Sequence, residues 1–517
     1  FYPIVWHQVA SLGAWSWRET LIANNVLLLA VALVWYLGLV YLARTALPKV
    51  RHAPYLALAA SLLAPVFPWR LTYGAALWPY CMAVATCPAV IAMSIECWRR
   101  ARTLMVVAAR EQNTSVWGAR ARAAMALSAI IPFFVGSCLI HTSAAAMLLW
   151  PLFGILLCQA VHSGIRSWRT ERRAQAAAWW IGALLAVVAF VAFVVLPGPQ
   201  QHHFGRYTEL DWSNLTTKLL IPITLDYFGG WAIEWIEMPL ATLCLLGSAI
   251  CLWRRRNWEL VVAWIFSMSL ILAAIAPIPV LSAFTGLFYR VPHRIKAMTA
   301  VLAVLLVVVA LDALRTWLSP LGARAGSALR GALGRIGLAS VSTAVLRAGA
   351  AVAALAVCLP IMLIGSRAVA TDVREGYLPV HGDTRFIADK AELDMIRRLP
   401  DELPDNAVVI GDPVAGTGYI PILTGMRSVW VFPGQAADDQ DGIYLRENFN
   451  RIHTDPHVCE LLQRHGIHYF YADKDIVFNG NRLSKFRPGL YKVDTSSGFT
   501  LVDSGGSASL WRIDICG

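Results

Sequence analysis

Ten apolar runs constrain this chain more than any other feature. They are Leu21–Ala43, Ala53–Phe67, Tyr80–Trp98, Ala123–Ile140, Ser143–Val161, Ala177–Leu196, Pro239–Trp253, Trp258–Ala276, Ala297–Trp317 and Ala348–Ile364. A run of about 20 apolar residues can cross a hydrocarbon core only as a helix, because no water is present there to satisfy its backbone. The second run is short and flanked by proline, which predicts a tilted or broken helix. With 57% of its 517 residues hydrophobic and only 15% charged, the chain is too apolar for a soluble protein of its size.

The charges between the runs orient them. Twenty-one Lys and Arg residues follow the odd-numbered runs, and seven fall in the remaining segments. Basic residues collect on the cytoplasmic side, so the larger group belongs there. The segment before the first run and everything after the tenth are then expected outside. Phe1–Arg18 reads FYPIVWHQVASLGAWSWR, with Trp6, Trp15 and Trp17 suited to a membrane interface. A chain entering from outside without a signal pattern is expected to be preceded by one more span, making eleven.

The net charge of +12 divides unevenly: +17 up to residue 366 and −5 from Arg367 onward. The basic excess lies in short loops between spans, which argues against nucleic acid as a partner. From Arg367 the pattern changes. Ala407–Asp412, Ser428–Phe432 and Ile467–Ala472 read as strands, Pro456–His465 reads as a helix stopped by Gly466, and Gly498–Asp503 with Ser507–Ile513 reads as a closing hairpin. The expected fold is an α-helical polytopic membrane protein with a C-terminal extracytoplasmic α/β domain. Its parts are 1–20, the end of an interfacial outer loop; 21–366, the transmembrane core; and 367–517, the α/β domain.

Eight of the ten cysteines lie in or beside apolar runs and read as small buried hydrophobes. Cys459 and Cys516 are the two in the tail. On the outer face they are a disulfide candidate. No His/Cys spacing suggests a metal site.

The chemistry-bearing residues fall in the outer segments. Thr285–Lys296, TGLFYRVPHRIK, sets Arg290, His293, Arg294 and Lys296 beside Phe288 and Tyr289. A basic cluster on the side where positive charge is scarce calls for an anionic partner such as a lipid phosphate, or else for headgroup anchoring. Arg70, between Trp69 and Tyr73, can grip a phosphate or snorkel. His141, in LIHTS at the end of a span, is costly unless it faces a cavity or a partner. His7 can act as a general base or a phosphate ligand. Glu209, Asp211 and Asp226 are acids in the long loop Pro197–Pro239, where solvation alone also accounts for them. The Gly416–Gly418 GTG turn lacks a full phosphate-loop pattern and reads as a strand-to-helix turn. Asn113 and Asn214 head glycosylation-like triplets without an assigned role.

YPIVWHQVASLGAW before a span, FPWRLTYGAALWPY with a following CPA, LIHTSAA, TGLFYRVPHRIKA and the tail segment DPVAGTGYIPILTG together resemble an uncharacterised family of actinobacterial multi-pass membrane proteins. That family is similar to the C-type integral-membrane glycosyltransferases. The resemblance covers nearly the whole chain. It implies a polyprenyl-phosphate-linked sugar donor and an outward-facing cavity reached by His7, Arg70, His141, Tyr289, Arg290 and Arg294. It also implies a catalytic acid in a first outer loop, which would lie upstream of Phe1.

The expected function is sugar transfer from that donor to a cell-envelope glycan or lipid acceptor, at the outer face of the plasma membrane. Asp211, Asp226 and His7 are the catalytic candidates within the chain, and a divalent cation is the cofactor left open. Two alternatives stand. One is an envelope-polymer ligase or polymerase resembling the O-antigen ligases, which works with Arg and His. The other is a non-catalytic exporter or scaffold. Transport is ranked lower because charges sit at span ends, with Glu96 and Asp312 near the inner face.

Overall fold

A computed structural model describes residues 4–15, 19–63, 71, 77–110, 116–195, 231–275, 281–288, 291–335, 388–432, 439–478 and 481–517, with isolated positions between 360 and 371. The chain divides into two compact units, one of Phe1–Val9 with Val26–Asp372 and one of Ala10–Asn25 with Val373–Gly517.

The first unit is a helical bundle. Its helices are α1 (Val5–Ser11), α2 (Thr20–Ala46), α3 (Ala53–Leu63), α4 (Trp78–Arg110), α5 (Val116–Ser128), α6 (Ile131–Ile140), α7 (Ser143–Arg169), α8 (Arg173–Val195), α9 (Trp231–Trp253), α10 (Trp258–Ile275) and α11 (Pro292–Arg335). Helices α1 and α2 cross the boundary between the units. Between α10 and α11 a short turn, Leu281–Phe284, runs into a 3-10 turn, Thr285–Phe288.

Six segments among the described residues are long and apolar enough to cross a membrane: Thr20–Ala46, Trp78–Leu104, Trp117–Ile140, Ser143–Arg169, Trp258–Ile275 and Arg294–Pro320. Three of the expected spans are shorter apolar helices, Ala53–Leu62, Arg173–Ala189 and Pro239–Trp253. The tenth, Ala348–Ile364, lies almost wholly outside the described residues. The run expected at Ala123–Ile140 is two helices, α5 and α6, separated at Ala129–Ile130. Pro132 explains the break, because its ring cannot donate to the preceding turn.

The bundle is organised around α11. In its apolar window 72% of residues are buried, against 11% for Trp117–Ile140. It packs against α3, α9 and α10. On α9, Gly247 faces the backbone of Leu306, where a Cβ would stand 2.0 Å from the carbonyl oxygen. Small residues permit such backbone approach where lipid supplies no hydrophobic drive between helices. The outer flank of α8 carries exposed Ile181, Leu184, Leu185 and Val188, as a lipid-facing surface requires.

The second unit holds an α/β domain. Helix α12 (Lys390–Glu402) opens it, with Asp389 and Glu392 forming a reciprocal capping box. There follow β1 (Val408–Ile410), α13 (Tyr419–Thr424), β2 (Arg427–Ser428), α14 (Gln440–Asn448), α15 (Pro456–Arg464), β3 (Tyr469–Ala472), the small pair β4 (Val477–Phe478) and β5 (Asn481–Arg482), and the hairpin β6 (Phe499–Gly505) and β7 (Ala508–Ile513).

The sheet runs β2-β1-β3-β7-β6. Strands β1, β2 and β3 are parallel, and β7 and β6 are antiparallel beyond them. One face is covered by Met395, Ile396 and Leu399 of α12 with Ile420 of α13. The other is covered by Leu445 of α14 with Val458, Leu461 and Leu462 of α15. This three-layer arrangement follows from strands buried on both faces. Cys459 of α15 and Cys516 are joined in a disulfide.

Candidate functional site

Three long helices of the bundle start close together. Tyr80 is the third residue of α4, Ser143 the first of α7 and Arg294 the third of α11. Proline at Pro79 and Pro292 favours both starts, since its missing N–H costs nothing in a first turn. The 3-10 turn Thr285–Phe288 leads into α11 through the Val291 N–H, which donates to the Phe288 carbonyl at 3.1 Å.

Side chains bind these starts to one another. The Tyr80 hydroxyl donates to the backbone carbonyl of Arg294. The Ser143 hydroxyl donates to the carbonyl of Leu287. The Arg294 guanidinium lies over the Tyr80 ring, 5.6 Å from its centroid. His141 meets the same ring edge-on, with centroids 5.3 Å apart. Thus one buried tyrosine carries a cation on its face and an imidazole at its edge.

His141 lies in the connection between two spans, where its extended backbone ends α6. Its Nδ1 accepts the Ser143 backbone N–H at 3.1 Å. The neutral ring therefore carries its proton on Nε2. Burial, and then the Arg294 guanidinium, hold His141 below its ordinary pKa, which keeps the ring neutral.

The charge at the start of α11 is the reverse of what a helix prefers. Acids belong near the positive end of the macrodipole, yet its first turn has none and carries His293 and Arg294, with Lys296 just beyond. Lys296 is only 2% exposed. The Arg294 guanidinium and the His141 imidazole meet on the Tyr80 ring where these helices begin. Their chemistry suits the oxygens of an anion. The described side chains of the cluster include no carboxylate.

The structure brings together His141 and Arg294 of the residues singled out in the sequence. His7 is exposed on α1, whose Trp6 is fully buried and packs on Trp78 with centroids 5.8 Å apart. Arg70, Tyr289, Arg290, Asp211 and Asp226 lie outside the described residues, as does the side chain of His293. Tyr80 and Ser143 were not singled out. Both sit inside quoted motifs, FPWRLTYGAALWPY and LIHTSAA, and a span beginning Trp-Pro-Tyr was the available signal.

In the second unit, the GTG turn packs against protein groups. Gly416 has φ +109°, and a Cβ there would lie 2.2 Å from Glu392 Oε1 and 2.5 Å from the Tyr471 hydroxyl. A carboxyl at the turn is a poor neighbour for phosphate. Beside it Asp412 is buried and accepts from Val414 N–H, Arg487 and Tyr491, at 2.8, 3.1 and 2.9 Å. These contacts brace the loop after β1.

The model of a family described as a family of unknown function, DUF6541, matches residues 1–515. The chain belongs to that family. The match takes in both the helical cluster and the α/β domain. No curated protein matches the chain.

Proposed function

We propose that the chain is a membrane glycosyltransferase that moves a sugar from a polyprenyl-phosphate donor to a cell-envelope glycan or lipid acceptor. The observation that carries this reading is the Tyr80–His141–Arg294 cluster where α4, α7 and α11 begin. A guanidinium and an imidazole Nε2–H are donors of the kind a lipid phosphate takes.

In the transfer, an acceptor hydroxyl attacks the anomeric carbon and the bond from that carbon to the phosphate oxygen breaks. The hydroxyl proton passes to a base, and polyprenyl phosphate leaves with added negative charge. Arg294 and His141 Nε2–H stabilise that charge, a contribution of roughly 10²–10³ in rate for a single well-placed donor. His141 offers N–H rather than a lone pair, so it is a donor here and not the base. The base is Asp211 or Asp226, and a divalent cation at the phosphate would share its charge.

Alternating loop charge supports an outer-face site in the plasma membrane, with the cytoplasm on the side of the 21 basic residues. The Cys459–Cys516 disulfide supports an extracytoplasmic tail, because such bonds persist in oxidising compartments.

A second reading is favoured by the composition of the described cluster, which has Arg, His, Tyr and Ser. An envelope-polymer ligase can work with cationic and imidazole groups of this kind. Membranes containing the chain should release polyprenyl phosphate from a monosaccharide donor, and Arg294→Ala should abolish release. Release of polyprenyl diphosphate from a lipid-linked polymer instead would select the ligase. Full release by the Arg294→Ala protein would remove both readings.

A further inference from the structure

Strand register in the α/β domain lines up polar residues along one end of the sheet. Arg427 of β2 is level with Val408 of β1. His468 directly precedes β3 and accepts the Ile513 N–H through its carbonyl at 2.8 Å. One step along, Tyr469 is paired with Arg512 of β7. A cavity of about 540 Å³ opens at this end, lined among others by Asn406, Arg427, His465, His468, Tyr469 and Arg512. Small-molecule sites measure roughly 300–1,000 Å³.

The lining holds two guanidiniums and two imidazoles beside one side-chain carboxylate, Asp514. Two of the four bases are already engaged: Arg512 Nε is 2.7 Å from Asp514 Oδ1, and His465 Nε2 is 2.7 Å from Asp441 Oδ2. Arg427 and His468 are exposed, and among the described residues their side chains make no hydrogen bond or ion pair. They are donors available to a ligand.

One wall of the cavity, Asp514 to Gly517, is tied down. The Cys459–Cys516 disulfide and a hydrogen bond from Gln463 to the Cys516 carbonyl tie the segment after β7 to α15.

Size and surface narrow the ligand. The cavity is far larger than an orthophosphate needs. Pro404 and the half-buried Tyr469 line the cavity beside Asn406, a mixture of apolar and amide groups that suits a sugar ring and its hydroxyls. The chain from Arg367 onward carries a net charge of −5, which disfavours long polyanions and leaves this groove as a local exception. We infer that the groove binds an anionic saccharide, a sugar ring bearing a phosphate or a carboxylate, through Arg427 and His468. It stands on residues of the second unit alone and does not depend on the transferase reading.

The test is calorimetric titration of the full chain in uncharged detergent micelles, with Arg294→Ala present so that the membrane cluster does not contribute. The probes are glucose 1-phosphate, glucuronate, inorganic phosphate and glucose. One of the two anionic sugars should bind at least about tenfold more tightly than glucose and than inorganic phosphate. Which one binds assigns the anion. Adding Arg427→Ala and His468→Ala should weaken it by about tenfold or more, with amide-exchange protection in β1 and β3 unchanged. The inference is overturned if neither anionic sugar exceeds glucose, if inorganic phosphate binds equally well, or if the double substitution leaves affinity within about twofold.

Discussion

Arg294 and Tyr80 hold each other twice: the guanidinium rests on the ring, 5.6 Å from its centroid, and the ring's hydroxyl donates to the carbonyl of Arg294 itself. The second contact fixes the backbone from which the first side chain springs. Tyr80 therefore positions Arg294 without needing to touch a ligand. The hydroxyl and the ring can be separated by substitution. Tyr80→Phe keeps the ring and should cost about 1 kcal/mol in stability, with donor release reduced by less than about tenfold. Tyr80→Ala removes the support and should abolish release. Thermal midpoints in micelles, read beside release rates, distinguish the two.

How far this arrangement was legible depends on the residue. Arg294 and His141 stood out because charge and imidazole at span ends are costly. Tyr80 did not, because an aromatic residue at the end of a span is commonplace and its value comes from partners 61 and 214 residues away. The meeting of three helix starts is a tertiary fact with no local signature. In the tail, Gly466 correctly marked the end of α15, where it takes φ +63°. The Asp389–Glu392 capping box is the local signal for α12, which the strand pattern of the tail does not reveal. The second strand was expected to reach Phe432, yet pairing with β1 covers only Arg427–Ser428. A short apolar stretch does not by itself specify how much of it finds a partner.

Glu392 makes the α/β domain pH-sensitive. Burial raises its carboxyl from an ordinary value of 4.5 to about 7, partly offset by the hydrogen bond from Tyr471. Between those values the folded domain binds more protons than the unfolded chain. Stability should therefore fall as pH rises through this window, by on the order of a few kcal/mol, and stay low above it. Glu392→Gln should flatten the dependence. Amide exchange in β3 at pH 5 and pH 8, corrected for intrinsic rates, reads the difference. An unchanged slope in the Gln protein would assign the sensitivity elsewhere.

The Cys459–Cys516 disulfide closes a loop over 57 residues of sequence separation. Replacing both cysteines with serine should cost about 2–4 kcal/mol in protection of α15 and β7, chiefly by freeing the unfolded chain. Hydrogen exchange of the oxidised and Ser proteins measures this directly. Protection in the helical bundle should not change.

Asp412 and Arg487 form a buried ion pair, with side chains 3% and 8% exposed. Arg487→Ala leaves the Asp412 carboxylate with the Val414 N–H and the Tyr491 hydroxyl alone. It should destabilise the domain by about 3–5 kcal/mol. Proteolysis within the loop Gly411–Gly418 should accelerate accordingly.

The most direct measurement is equilibrium binding of a short-chain polyprenyl phosphate to the full chain in micelles, comparing the parent with Arg294→Lys and Arg294→Ala. Expected is binding that weakens with salt, falls by about tenfold with Lys, which keeps charge but loses the planar fork, and falls by about a hundredfold or more with Ala. Equal affinity across the three proteins would show that the Tyr80–His141–Arg294 cluster does not hold the lipid phosphate.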